Sequence, residues 1–202
     1  MAERNITLTD CSAADLAGHC TEMTAWKVLS DVATELKDGD ASRLISPSAI
    51  RIADNGCFVL TSQTNAAGQS SIYEAPEAIN SERTANSAVW SLAASIFYMV
   101  MGCNVMNGKG GAAQHRQSKV PYMRTEMPEL SELIQQCLHY NPAQRPTLQA
   151  LVETAATHYK QWQTTVSRGP QFKKVVQLDA ADDASTAPDF WPEEMNCELT
   201  NS

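Results

Sequence analysis

Apolar and polar positions along this chain fall into blocks, and the spacing of the apolar positions changes from one block to the next. The most apolar block, Asn86 to Val105 (NSAVWSLAASIFYMVMGCNV), carries no charge, and Trp90, Leu92, Ile96, Phe97, Met99, Val100 and Met101 cover nearly every face of a helix. A helix that is apolar all round has to be buried, so the pattern predicts a central core helix. At about 20 residues it approaches the thickness of a bilayer. Asn86, Ser87, Ser91, Ser95 and Asn104 dilute it, however, and no basic flank follows, so no membrane span is expected.

The other blocks are amphipathic. From Cys11 to Trp26 the apolar positions are loosely helical, with Ser12 or Thr9 available as an N-cap, and predict one or two short helices. Trp26, Val28, Leu29, Val32, Ala33 and Leu36 follow a helical period, with Gly39 as the stop. Ile50 and Ile52 then alternate, Asp54-Asn55-Gly56 signals a turn and Phe58 to Leu60 is β-prone, which together predict a two-stranded hairpin. Residues 62–71 are polar and read as a loop. Pro128 to Tyr140 places Leu130, Leu133, Ile134, Cys137 and Leu138 on one helical face, and Asn141-Pro142 ends it. A last helix is predicted from Thr147 to about Gln163, with Leu148, Leu151, Val152 and Ala155 inward.

Charge changes the picture at the C-terminal end. The net charge is −8, yet residues 1–160 hold 12 basic and 16 acidic side chains, whereas residues 175–202 hold seven acidic and none basic. The acidic balance argues against nucleic acid as a partner. Residues 1–165 are expected to form one domain, and residues 166–202 an acidic tail that is disordered or docked back on the domain. The six cysteines form no CxxC pair and suit a reducing compartment. The opening MAERNITLTD lacks a hydrophobic signal segment, so the expected location is cytoplasmic.

Candidate chemistry is sparse. Gly108-Lys109-Gly110-Gly111 departs from the phosphate-loop pattern, in which Ser or Thr follows GxxxxGK, and reads as a flexible loop. His19, His115, His139 and His158 are scattered without matching carboxylates, so neither a metal nor a cofactor is expected.

Three stretches, in order and at fitting distances, resemble one family. Tyr73-Glu74-Ala75-Pro76-Glu77 resembles the APE motif of protein kinases, Ala88-Val89-Trp90-Ser91-Leu92-Ala93 their DVWSLG helix start, and Leu138-x-x-Asn141-Pro142-x-x-Arg145-Pro146 their CLxxNPxxRP signature. The resemblance runs from about Ala14 to Ala156. It implies a mainly α fold: a kinase-like C-lobe, a helical bundle around a buried central helix with one small β-hairpin, standing alone.

Carried over residue by residue, the resemblance also implies lost chemistry. The catalytic loop HRDLKPEN falls on Ser42 to Ala49, which puts Leu44 at the base, Ser46 at the loop lysine and Ala49 at the metal-binding asparagine. The DFG position falls on Ser62-Gln63-Thr64, so Ser62 replaces the magnesium-binding carboxylate. Leucine cannot accept a proton. Glu77 and Arg145 match the two partners of a structural ion pair, while Ala88 replaces the aspartate that anchors the catalytic loop. The chain therefore resembles a pseudokinase, similar to the KIND domain (kinase non-catalytic C-lobe). The implied role is a protein-binding or scaffold module with a protein or peptide partner. The alternative is a divergent transferase or nucleotide-binding protein retaining another activity.

Overall fold

The computed structural model describes residues 8–61, 70–120 and 122–168. The acidic tail beyond them, and Ser62 at the DFG position, lie outside the described residues. In chain order the elements are strand β1 (Leu8–Ser12), helix α1 (Glu22–Asp38), strands β2 (Ile50–Ala53) and β3 (Phe58–Leu60), and helices α2 (Ala85–Met101), α3 (Pro128–Cys137) and α4 (Leu148–Arg168). Short 3-10 turns punctuate them. No described helix is long and apolar enough to cross a membrane.

Helix α2 is the core, as its pattern requires. Thr84 and Ser87 form a capping box at its start, and Gly102, at φ 75°, ends it by donating its N–H to Tyr98 O at 2.8 Å. Val89, Trp90, Leu92, Ile96, Met99 and Val100 have no accessible surface. Its serines are satisfied internally: Ser95 Oγ donates to Ser91 O at 2.8 Å and also reaches Ile45 O at 3.4 Å, which pins the loop before β2.

Helix α1 begins a turn earlier than its apolar period suggests, because Thr21 caps it through Thr24 N at 3.3 Å. Of the one or two short helices expected in the segment before it, one forms, and it is a 3-10 turn. Ser12 donates its backbone N–H to the Asp15 carboxylate at 2.7 Å and so starts only a four-residue 3-10 turn, Ala13–Leu16. Gly18, at φ 73°, then turns the chain toward Thr21. Residues ahead of that turn form β1, which pairs antiparallel with β2 (Leu8 with Ala53, Ser12 with Arg51) across a bulge. The expected hairpin is thus part of a three-stranded sheet in the order β1-β2-β3.

The hairpin itself closes as predicted, with Gly56 at φ 75°, Gly56 N donating to Ala53 O at 2.8 Å, and Asn55 Oδ1 accepting from Cys57 N at 2.9 Å. Its outer edge is covered by α1. Phe58 N donates to Asp31 Oδ2 at 2.9 Å and Leu60 N to Glu35 Oε2 at 2.8 Å, so two carboxylates one helical turn apart take up two edge donors of β3. On its other side α1 packs along α4, where Trp26 stacks on His158 with ring centroids 4.2 Å apart. Lys27 sits over the Tyr159 ring at 5.3 Å. The last two helices keep their expected faces, although α3 stops at Cys137 and α4 continues to Arg168.

Candidate functional site

Glu77 and Arg145 are brought together. Asn141 caps the short turn Pro142–Gln144 through Ala143 N at 3.1 Å, and Arg145 leaves that turn pointing inward with no side-chain surface exposed. Its Nη1 donates to Glu77 Oε1 at 2.6 Å and its Nη2 to Glu77 Oε2 at 2.8 Å. The remaining donors reach backbone carbonyls: His139 at 2.8 Å, Asn86 at 2.9 Å and Tyr140 at 3.2 Å. One side chain therefore ties the segment after Pro76, the start of α2 and the end of α3 into one unit.

A second ion pair in the same region was not read from the sequence. Glu74, nearly buried, takes Arg83 Nε at 2.6 Å and Arg83 Nη2 at 2.8 Å. The hydrogen bond to that carboxylate holds the Arg83 guanidinium more firmly protonated than usual. Next to Glu74, Tyr73 donates its hydroxyl to Asn104 Oδ1 at 2.8 Å, and burial pushes its ionisation well above the ordinary phenol range. Glu74 and Arg83, with Ala78, Ile79, Ser81 and Glu82, line an open cleft of about 410 Å³.

The glycine cluster is not the flexible loop its composition suggests. A Cβ on Gly110 would lie 1.9 Å from Ile72 O, and one on Gly111 would lie 2.1 Å from Glu74 O. The backbone of the 3-10 turn Gly110–Ala113 is therefore laid directly on residues 72–76, with Gly110 and Gly111 buried. Gln114 completes the seam. Its Oε1 accepts from Trp90 Nε1 at 2.9 Å and its Nε2 donates to Leu138 O at 2.6 Å, all of it buried. A buried Trp needs an acceptor, and that requirement was the available signal for this contact.

The positions that the kinase resemblance assigns to chemistry lie in the segment ahead of β2, which Ser95 of α2 reaches through Ile45 O. Leu44 packs, partly buried, against the hydrophobic core. Ser46 is buried, with its hydroxyl 3.1 Å from Ser48 Oγ. Ala49 is buried and accepts Thr61 N at 2.8 Å through its carbonyl. Arg43, between them and α1, donates Nη2 to Thr61 O and lies 3.9 Å from Glu35. The histidines stay apart: His115 bonds Ser118, His139 accepts from Asn141 N, and His158 Nδ1 lies 3.2 Å from Glu129. Among the described residues no three His, Cys, Asp or Glu side chains gather in a way that could hold a metal.

A mainly helical bundle around a buried α2, fastened by an APE-type glutamate and an arginine before the last helix, defines a kinase-like fold. The sequence matches the protein kinase domain family over residues 41–156, more than half of the chain, and the protein belongs to that family. The match ends where the resemblance in the motifs ends, at residue 156, and begins after α1. No curated protein matches the chain.

Proposed function

We propose that this kinase-family domain does not transfer phosphate and serves instead as a protein-binding or scaffold module in the cytoplasm. The reading is carried by the loop at residues 44–49. Leu44 packs against the core and Ala49 is buried, at the positions that the motif alignment assigns to the base and to a magnesium ligand. An aliphatic side chain offers neither a proton acceptor nor an oxygen for a metal. Ser46, at the loop-lysine position, is buried and lacks a cationic head.

Binding is favoured by the opposite state of the APE side. There the family's ion pair is intact, a second bidentate pair supports it, and Ile79, 40% exposed, stands at the rim of the cleft beside Glu74 and Arg83. A preformed cleft with one apolar rim and fixed charges suits a peptide side chain. Among the described residues, Cys20, Cys57 and Cys137 are free thiols, in keeping with a reducing compartment.

The test is a pair of measurements on the full chain: melting temperature with and without ATP and magnesium, and incorporation of labelled phosphate into the chain itself and into general protein substrates. No shift and no incorporation are expected. A magnesium-dependent stabilisation of several degrees together with phosphate incorporation would overturn the reading.

A further inference from the structure

Lys27, Lys37, Arg43, Arg83 and Arg145 each stand in an ion pair with a carboxylate. The stretch from residue 109 to residue 124 is different. It holds Lys109, Arg116, Lys119 and Arg124, together with His115, and no acidic residue. All five side chains are exposed, and among the described residues none of them has a carboxylate partner. Glu126 and Glu129 lie beyond Arg124, and Glu129 faces His158.

The basic stretch is held in place at several points. Buried Gln114 anchors its near side through Trp90 and Leu138. Gln135 of α3 donates to Val120 O at 3.3 Å, and Met123 N donates to Ser131 Oγ at 3.2 Å, on the far side. Between these anchors His115 and Ser118 close a tight turn through Ser118 N to His115 O at 2.9 Å and His115 N to Ser118 Oγ at 2.9 Å. Arg116 and Lys119 are thus carried on a braced projection, and their charges cost little further ordering when an anion arrives.

The chain contains the complementary charge. Of the net −8, the seven acidic and no basic residues of 175–202 supply all but one unit, which leaves residues 1–174 with 15 basic against 16 acidic side chains. The route is short. Trp26 on α1 stacks on His158 of α4, so the middle of α4 lies at the N-terminal pole of α1. Arg124 donates to Gly18 O at 2.5 Å, four residues ahead of α1, which puts the end of the basic stretch at that same pole. From Arg168 to Asp179 is eleven residues. That length spans up to roughly 36 Å, against a radius of gyration of about 15 Å for a domain of this size.

We propose that the basic stretch 109–124 is the docking surface for this chain's own acidic segment, residues 179–198. The contact is electrostatic and intramolecular. It is favoured by the high effective concentration that a short tether gives, and it is released by salt or by a more acidic competitor. The inference stands apart from the proposed function, because it requires neither loss of catalysis nor the cleft at Glu74.

Zero-length carbodiimide coupling of the full chain, mapped by mass spectrometry, tests it. Amide links from Lys109 and Lys119 to the tail carboxylates are expected, confined to one chain in an equal mixture of light and isotope-labelled protein. They should fall several-fold at about 0.5 M salt, where the screening length is only a few ångström. Arg116→Glu keeps both lysines and changes only an exposed turn residue, and it should lower the yield of the same links with the melting temperature unchanged. Links that join Lys37 and Lys160 to the tail as often as Lys109 and Lys119, links that cross between labelled and unlabelled chains, or yields indifferent to salt and to Arg116→Glu would each overturn the proposal.

Discussion

Arg145 and Glu77 stand 68 residues apart in sequence and meet through two parallel N–H···O contacts of 2.6 and 2.8 Å. With three carbonyls taking the other donors, every N–H of a fully buried guanidinium has an acceptor. Such a pair is costly to break from one side, because the survivor is left charged and unpaired. Glu77→Ala and Arg145→Ala should each destabilise by roughly 3–5 kcal/mol, and the double mutant by much less than the sum. Arg145→Lys should not rescue, since an ammonium cannot fill the five-donor fork. Urea denaturation of the four proteins gives the coupling, and a value near zero would mean that the contact does not hold the fold together.

The glycine seam leads to a sharper contrast between neighbours. A Cβ at Gly111 meets Glu74 O at 2.1 Å and Pro76 N at 2.7 Å, both backbone atoms that no side-chain rotation can move. Gly111→Ala should therefore cost on the order of 3 kcal/mol, the upper end of overpacking. Gly108 has a positive φ of 81° but open space around it, so Gly108→Ala should cost only about 1 kcal/mol of backbone strain. Equal melting temperatures for the two variants would show that residues 110–113 are not packed on residues 72–76.

What could be read in advance depended on whether one residue type has only one physical use. An uncharged run like that of α2 can only be buried, and Glu77 with Arg145 could be matched because a family motif fixes both ends. The glycines were misread because a flexible loop and a close backbone approach call for the same residue. Strand β1 was missed because its pairing with β2 is between backbones and passes through a bulge, so no alternating pattern marks Leu8–Ser12. The pairing of Glu74 with Arg83 left no mark in the sequence, and only the fold places the carboxylate out of water. Leu44, which the motif resemblance puts at the base position, packs partly buried against the core.

The edge of β3 offers a residue-specific test of how α1 holds the sheet. Asp31→Ala removes the acceptor for Phe58 N–H, and Glu35→Ala the acceptor for Leu60 N–H. Each should speed exchange at its own amide and leave the other protected. The Asp31 change should cost more, about 1–3 kcal/mol, because its carboxylate also bonds Lys27 at 2.8 Å and is less exposed than Glu35. Uniform acceleration across β2 and β3 in both variants would point instead to loss of the whole hairpin.

Burial pushes both Cys20 and Cys137 from an ordinary value of 9.0 to about 12, with Arg124 and Arg145 respectively opposing the shift only in part. Both should stay protonated and unreactive in the native protein, whereas half-exposed Cys57 and Cys103 label sooner than either with iodoacetamide. Because the folded protein holds these protons more tightly than the unfolded chain, their contribution to stability is complete below pH 9 and is lost as pH rises from about 9 to about 12. The urea midpoint should therefore fall across that window, and Cys137→Ala, which removes one titrating group, should flatten the fall while lowering the midpoint at neutral pH through the cavity it leaves. If Cys137 is alkylated in the native protein as fast as Cys57, the thiol is not sealed in the core beneath α3.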